Sequence, residues 1–300
     1  MAVMNDLSPV IEKTKLLARK VDGLVQDEDF QTEISGFSLH RRTNKQSIHC
    51  IYDLGLGVIL QGEKQVLIGN EIFTYSRGQT MLTTIDLPAV SRLTQASYSE
   101  PFLGMMLKLD IGMITEIAGS MENIHVTENI PSFSIEEMDI GLIEALDRLV
   151  DLVEDPSMIS QIAPLIKREI IVRLLLGKHG DYLRNLIKVS VAEKNIFKVI
   201  SWLRNNFLND VRVDEIAEQA NMTSATFRNH FREITRMTPL QYQKQLRLQE
   251  ARKLMLMQAI EVRRVAESVG YESQSQFTRE YVRLFGITPQ KDLKENTISK

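Results

Sequence analysis

The sequence has few cysteine and histidine residues, the side chains that form disulfides and bind structural metals. Cys50 is the single cysteine among 300 residues, and the five histidines are scattered along the chain. One cysteine excludes a disulfide within the chain, and it also excludes a zinc site built from several thiolates. The fold is therefore expected to rest on hydrophobic cores, and a chain of this length with 43% hydrophobic residues is long enough for two domains.

Long hydrophobic runs are also missing. Stretches such as IGLIEAL and IIVRLLLG are short and interrupted by charge, whereas a membrane-spanning helix needs about 20 apolar residues. The N-terminal segment MAVMNDLSPVIEKTKLLARK mixes charges of both signs and has no small-residue cleavage site, so a secretory signal is not expected. These features predict a cytoplasmic protein with no membrane partner.

The net charge of −3 conceals two halves of opposite sign. Residues 190–300 contain 18 Lys+Arg and 13 Asp+Glu, for a net charge of +5, whereas residues 1–189 contain 18 and 26, for a net charge of −8. This asymmetry is typical of a nucleic-acid-binding module joined to a module with another role. A chance fluctuation is the alternative explanation when charge alone is considered.

The hydrophobic pattern predicts a β-domain followed by helices. From about Glu33 to Asp110, short β-type runs such as GLGVILQ and FLGMMLKL alternate with turn sequences. Apolar residues then recur every three or four positions, which predicts helices. Ser134 followed by Glu137 predicts a capping box that opens the first long helix, and Pro156 is expected to end it.

Further helices are expected in the C-terminal half. The segment IAPLIKREIIVRLLLGKHG predicts a helix stopped by Gly177 and Gly180, and from about Val191 the pattern is helical throughout. The sequence therefore predicts an α+β protein with an all-α C-terminal domain.

Two segments near the C-terminus repeat one pattern. Residues 221–236 (NMTSATFRNHFREITR) and residues 270–286 (GYESQSQFTREYVRLFG) each place a turn residue before a polar run that contains two aromatic residues four positions apart. The apolar residues share one face of each helix and are expected to be buried. They are Phe227, Phe231 and Ile234 in the first helix, and Phe277, Tyr281 and Leu284 in the second.

The residues before each repeated helix predict a helix-turn-helix motif. Ala217 and Ala266 hold the same relative place in two short preceding helices, and alanine lets a second helix cross closely. Asn221 and Gly270 follow, and both residue types tolerate the left-handed backbone conformation of a tight turn. Between the two motifs, the segment PLQYQKQLRLQEARKLML predicts a long helix that is buried on two sides.

The faces opposite the aromatic stripes combine arginine with amide and hydroxyl side chains. Arginine pairs with guanine and Asn or Gln with adenine in the major groove. The residues predicted on these faces are Ala225, Arg228, Asn229 and Arg232 in the first helix, and Ser275, Thr278, Arg279 and Val282 in the second. A solvated surface is the alternative for either helix alone, but two copies in register favour DNA binding.

Residues 213–293 resemble the DNA-binding domain of the AraC/XylS family of bacterial transcription regulators. The resemblance covers both motifs and the helix between them, and it implies that two recognition helices enter successive major grooves on one face of the duplex. RNA polymerase is then an expected partner. The base contacts implied by the resemblance fall to Ala225, Arg228 and Asn229, and to Gln274, Ser275, Thr278 and Arg279.

The sequence departs from the family pattern at two positions. Arg236 stands where the family often has a glycine at the end of the first recognition helix, and Leu293 stands where an aromatic residue is common. The first departure predicts a strained or lengthened helix end.

The N-terminal half resembles the cupin-like regulatory domain of one AraC subfamily, chiefly through LQGEK, FTYSRG and DLP. This resemblance implies a cupin-like β-barrel with a helical dimerisation segment in residues 1–185, and a DNA-binding domain in residues 190–300. Metal-binding cupins usually place two histidines one residue apart, whereas His40 and His49 are nine apart. Neither a metal nor another cofactor is therefore expected.

The role of the β-domain is left open between sensing a small-molecule effector and forming a homodimer. A barrel interior can hold one small ligand, and Tyr52, Phe73, Tyr75 and Met81 could line it, with core packing as the alternative. Cys50 is either a redox or electrophile sensor or an inert core residue.

Two classes of function compete. One is a sequence-specific, DNA-binding transcription regulator, and the other is an enzyme whose β-domain does chemistry while the helical domain tethers it to DNA. Residues 30–110 contain neither a G-x-S-x-G motif nor a phosphate-binding glycine loop. The sequence therefore predicts a regulator that binds double-stranded DNA and is not an enzyme.

Overall fold

The structure is a computed structural model that describes residues 7–25, 28–45, 47–121, 132–188, 191–258 and 260–297. The chain divides into two compact units, residues 1–48 with 52–190 and residues 49–51 with 191–300. The first unit combines β-sheets with helices, and the described residues of the second from 191 onward form helices and the turns between them. Each helix in the described ranges is too short or too polar to cross a membrane.

Two sheets form the β-part of the first unit. The larger has the strand order β1-β2-β9-β4-β7-β10 and the smaller has the order β3-β8-β5-β6. In chain order the strands are β1 (Asp29–Gln31), β2 (Phe37–Arg42), β3 (Ser47–Tyr52), β4 (Gly55–Gln61), β5 (Glu63–Ile68), β6 (Glu71–Ser76), β7 (Gln79–Thr83), β8 (Leu87–Gln95), β9 (Phe102–Lys108) and β10 (Phe133–Glu137). The predicted β-domain is thereby confirmed.

Five helices complete the first unit in the described ranges. They are α1 (Leu7–Leu24), α2 (Ile111–Gly119), α3 (Ile140–Asp151), α4 (Pro156–Leu176) and α5 (Gly180–Lys188). Their apolar faces share one core with the larger sheet, in which Leu56 of β4 and Leu146 of α3 are fully buried. Strand β4 lies between β9 and β7 and is antiparallel to both, so its segment GLGVIL is buried along its whole length.

The second unit contains seven helices in its described ranges. They are α6 (Val191–Asn206), α7 (Val213–Gln219), α8 (Ser224–Thr235), α9 (Pro239–Gln258), α10 (Val262–Ser268), α11 (Gln274–Phe285) and α12 (Pro289–Thr297). The predicted long helix between the motifs is α9. It is buried on two sides, through Tyr242 and Leu246 along one line and through Leu248, Ala251 and Met255 along another.

The capping box predicted at Ser134 and Glu137 is wrong. Both residues lie in β10, where Ser134 pairs with Leu82 of β7. Helix α3 begins later, at Ile140, because the carboxylate of Asp139 accepts a hydrogen bond from the Leu142 N–H and caps the first turn.

Pro156 also plays a different part from the one predicted. Helix α3 ends before it at Asp151, and Pro156 is the first residue of α4, a position where its missing N–H is not needed. Helix α4 continues through Pro164 and ends before Gly177, as predicted for that end.

His179 joins two strands to the start of α5 from a buried position. Its ring nitrogens lie 2.7 Å from the Thr80 hydroxyl and 2.6 Å from the Ser134 hydroxyl. Because Thr80 donates to the Glu136 carbonyl, its oxygen accepts from the Nε2–H of His179, and Ser134 then donates to Nδ1. This arrangement fits a neutral ring, and burial lowers the pKa of His179 to about 4.

Candidate nucleic-acid interface

The two predicted turns have the left-handed conformation that they require. Asn221 has φ 54° between α7 and α8, and Gly270 has φ 82° between α10 and α11. The backbone bonds around the two turns also correspond. The Met222 N–H donates to the carbonyl of Ala217, and the Tyr271 N–H donates to the carbonyl of Ala266, each at 3.0 Å. The two helix-turn-helix motifs are therefore copies of one backbone geometry.

Each second helix starts at a hydroxyl cap. The Thr223 side chain accepts from the Thr226 N–H at the start of α8, and the Ser273 side chain accepts from the Gln276 N–H at the start of α11. A hydroxyl before the first helical residue satisfies one of the free N–H groups of the first turn. These two hydroxyl caps thus set the first residue of each helix.

The aromatic stripes hold these helices against the rest of the unit. Phe227 and Phe231 of α8 are fully buried, as are Phe277 and Tyr281 of α11. The ring centroid of Phe231 lies 5.5 Å from that of Tyr242 on α9, in an edge-to-face contact. The predicted buried faces are confirmed, although Leu284 is only half-buried.

The opposite faces are free to meet a ligand. Of the residues predicted to contact bases, Thr278 is half-buried and the rest are exposed, namely Ala225, Arg228, Asn229, Arg232, Gln274, Ser275 and Arg279. Arg228, Arg232 and Arg279 form no ion pair with any side chain that the structure describes. Their charges are therefore available to an anionic partner such as DNA.

The carboxylate of Glu280, the residue after Arg279, already has hydrogen-bond partners. Glu280 lies 2.7 Å from Nζ of Lys244 on α9 and 2.8 Å from the hydroxyl of Tyr271. Burial alone raises the pKa of Glu280, but these hydrogen bonds outweigh it and hold the pKa below its usual range. Glu280 therefore does not form a salt bridge with Arg279.

A second polar cluster fixes α11 from its buried side. Asp292 of α12 accepts hydrogen bonds from Nε and Nη2 of Arg252 at 2.7 and 3.1 Å, and it accepts another from the hydroxyl of Tyr281. Asp292 is 2% exposed. The cluster therefore joins α9, α11 and α12 through hydrogen bonds to one carboxylate.

Comparison with known proteins identifies the family. Residues 33–182 match the AraC-type transcriptional regulator N-terminus, and residues 216–295 match a helix-turn-helix domain family. The chain belongs to the AraC family of transcription regulators. AraC-family proteins are DNA-binding regulators and not enzymes, so a DNA-tethered enzyme is set aside.

Relatives and solved structures agree with this assignment. ExsA, an HTH-type transcriptional regulator of Pseudomonas aeruginosa, is 22% identical over 245 residues, which cover 79% of this chain and 84% of ExsA. The RCS-specific transcriptional activator RclR of Escherichia coli is 42% identical over 77 residues, or 26% of this chain and 27% of RclR. ToxT of Vibrio cholerae bound to an unsaturated fatty acid has a TM-score of 0.58 at 11% identity, covering 86% of this chain and 94% of ToxT. The ToxT likeness shows the shared fold.

One arginine of this AraC-family chain joins the segment after α6 to the turn of the second motif. Arg247 of α9 donates from Nε to the carbonyl of Phe207 at 2.7 Å, and from Nη1 to the carbonyl of Gly270, in the turn of the second motif, at 3.0 Å. Nη2 donates to the carbonyls of Leu208 and Asn209, just after α6. Sequence reasoning missed this contact because its partners lie 23 to 40 residues away.

Arg236 is strained but does not lengthen its helix. It has φ 59° and its N–H donates to the carbonyl of Arg232, and Gly286 has φ 73° at the same place after α11. Helices α8 and α11 both contain 12 residues. Of the two alternatives predicted here, strain is the correct one, because a side chain at positive φ crowds its own backbone.

A reciprocal exchange at these two caps should shift stability in opposite directions. Arg236→Gly is expected to stabilise the second unit by about 0.5–1 kcal/mol. Glycine adopts the left-handed conformation without strain, but its greater conformational entropy in the unfolded chain offsets part of this gain. Gly286→Arg should destabilise it by about 1 kcal/mol, although a Cβ there meets no atom within 4 Å. Urea denaturation followed by the fluorescence of Trp202, the single tryptophan, measures both changes.

Of the four residues proposed to line a ligand cavity, three lie in the packed interior of the first unit and Phe73 is half-buried. Tyr52, Tyr75 and Met81 are at most 4% exposed, and the Tyr52 hydroxyl lies 2.6 Å from the Ser91 hydroxyl. Phe73 packs edge-on against Phe133. This burial fits the core-packing alternative, and a role in effector binding stays a prediction. Cys50 lies half-buried in β3.

Proposed function

We propose that this chain is a sequence-specific regulator in which residues 190–300 bind DNA and residues 1–185 control that binding. The observation that carries the proposal is the pair of equivalent exposed faces on α8 and α11. Each presents arginine that forms no ion pair within the described residues, beside amide or hydroxyl side chains, on a helix that is held from its buried side. Such side chains discriminate base edges in the major groove. We propose RNA polymerase as a further partner.

Control by a small molecule is supported by the ToxT likeness, since that protein has been solved with an unsaturated fatty acid bound. Control by dimerisation is supported by an apolar stripe on α4. Met158, Leu165 and Leu176 are separated by 7 and 11 residues, which is close to two and three helical turns, and all three are exposed. A second copy would bury this stripe, and a sedimentation coefficient that stays at the monomer value over all concentrations would argue against it.

The arginine at position 279 supplies the most direct test of base recognition. Arg279→Ala should cost about 1–3 kcal/mol at one base position while leaving nonspecific binding nearly unchanged, because a bidentate contact to guanine is lost. Arg264→Ala is the matched control. Arg264 was expected to precede the first helix of the second motif, but it lies exposed within that helix, α10. We expect it to meet the sugar-phosphate backbone there, so its loss should weaken all sequences about equally.

Selection of binding sites from a random DNA pool, run with wild type and both variants, measures the difference. A preference lost at one position with Arg279→Ala, and an unchanged motif with Arg264→Ala, is the expected outcome. Identical motifs from wild type and Arg279→Ala would show that this side chain does not recognise sequence.

A further inference from the structure

Arg247 lies where α9 passes from the first motif to the second. Tyr242, five residues before it, has its ring centroid 5.5 Å from that of Phe231 in α8. Leu248, the next residue, packs in the hydrophobic core that α9 shares with α10 and α11. The side chain of Arg247 is half-buried at this point, and it contacts backbone that belongs to both sides of the unit.

The guanidinium of Arg247 donates to neutral backbone carbonyls. Three of them belong to residues 207–209, which follow α6, and the fourth belongs to Gly270 in the turn of the second motif. All four donor–acceptor distances lie between 2.7 and 3.1 Å. Arg247 forms no ion pair with any carboxylate that the structure describes. Its planar set of donors therefore holds two distant backbone segments together.

Gly270 fits against this guanidinium because it has no side chain. A Cβ at this position would lie 3.0 Å from Cζ and 3.1 Å from Nη2 of Arg247, which is closer than such atoms normally approach. The φ of 82° at Gly270 also lies in the left-handed region that favours glycine. The turn of the second motif is therefore in direct contact with Arg247.

Residues 207–209 lead into the first motif. Asn209 is four residues before Val213, where α7 begins. Gln243 of α9 also donates to the carbonyls of Phe207 and Asn209, at 2.9 and 2.7 Å. Gln243 and Arg247 thus hold the same segment, but the bond to Gly270 comes from Arg247. This arginine connects the backbone that enters the first motif to the turn of the second.

The size of a base-pair step shows what this connection would exclude. One added base pair moves the next groove by about 3.4 Å along the duplex and turns it by about 35°. An N–H···O bond is about 2.7–3.2 Å long, so a shift of that size between the two motifs would break the bonds of Arg247. Apolar packing along α9 is not directional, so by itself it holds the distance between the motifs less strictly.

We propose that Arg247 is a positioning residue that fixes the separation of α8 and α11, and so determines the spacing between the two DNA half-sites that the protein accepts. The inference rests on the proposed function, because a half-site spacing exists only where both helices bind DNA. The exposed faces of α8 and α11 contact the bases, and Arg247 sets the distance between those faces without touching a base itself.

Fluorescence anisotropy of the full chain with labelled DNA tests the proposal. The two probes are the site selected from the random pool and the same site with one base pair inserted at its centre. The measured quantity is the ratio of the two dissociation constants. We expect the insertion to weaken wild-type binding at least tenfold, and to weaken the binding of Arg247→Met less than threefold.

The ratio distinguishes a positioning role from a role in folding alone. A smaller folded fraction weakens binding to both DNAs by the same factor and leaves the ratio unchanged. Gln243→Met is the matched control, because Gln243 holds residues 207–209 to α9 and its described bonds do not include Gly270. Its ratio should equal that of wild type.

Arg247→Lys keeps the test decisive if Arg247→Met fails to fold. Lysine retains the positive charge, which a contact to phosphate would need, but its single nitrogen cannot donate to residues 207–209 and to Gly270 together. It should show the same reduced ratio as Arg247→Met. The proposal is overturned if either variant keeps the wild-type ratio, or if the insertion weakens wild-type binding less than tenfold. Wild type that binds no specific DNA rejects the proposed function instead.

Discussion

Asp292→Ala should destabilise the DNA-binding unit by about 3–5 kcal/mol, the cost of leaving a buried charge without its partner. Asp292 is 2% exposed and receives two hydrogen bonds from Arg252, whose side chain is itself only 21% exposed. Burial alone raises the pKa of Asp292, but the bonds from Arg252 and Tyr281 outweigh it and hold the pKa below its usual range. Alanine would remove the carboxylate of Asp292 and leave the guanidinium of Arg252 without its partner.

The fluorescence of Trp202 in α6 reports on this unit alone, because the chain has no other tryptophan. The control is the double variant Asp292→Ala with Arg252→Leu, which removes both charges and keeps an apolar side chain near Phe285, the ring that Arg252 now covers. The double variant should recover at least half of the lost stability. If the single and double variants are equally unstable, the unpaired charge is not the cause. A single variant as stable as wild type would show that the cluster contributes little.

The first unit should lose about 2–3 kcal/mol of stability between pH 7 and pH 4.5 through His179 alone. The pKa of His179 is lowered from 6.5 to about 4 in the folded chain, first by burial and then by the charge of Lys178. Above about pH 7.5 the ring is neutral in both states and contributes no pH dependence. Between pH 6.5 and 4, His179 is protonated in the unfolded chain but stays neutral in the folded chain. The free energy of unfolding therefore decreases as the pH falls.

His179→Gln isolates this effect, because glutamine offers the Thr80 and Ser134 hydroxyls both a donor and an acceptor but does not titrate. Urea denaturation at several pH values, followed by circular dichroism, gives the slope for each protein, and the other histidines contribute equally to both. The slope between pH 6.5 and 4 should be smaller in the variant. Parallel curves for the two proteins would mean that His179 takes up its proton in the folded state as easily as in the unfolded chain.

The exposed faces of α8 and α11 were predictable from the sequence because their determinants are local. The aromatic pair Phe227 and Phe231 repeats at helical spacing, and the turn at Asn221 lies six residues before it. Periodicity and turn chemistry act within about ten residues, so they show which face of each helix is buried and which is exposed.

The features that were not predictable from the sequence depend on contacts between segments that are distant along the chain. Ser134 and Glu137 resemble a capping box, but β10 pairs with β7, about 50 residues earlier, and this pairing overrides the local signal. The bonds from Arg252 to Asp292 and from Arg247 to Phe207 each span 40 residues. No spacing rule connects such positions.

The central claim is that two equivalent helices of this AraC-family chain enter successive major grooves on one face of DNA. Hydroxyl-radical footprinting of the purified full chain on its selected binding site measures this directly. The expected pattern is two protected stretches on one face of the duplex, with centres about 10 base pairs apart, the distance of one helical turn. A single protected stretch, or two stretches on opposite faces, would contradict the claim.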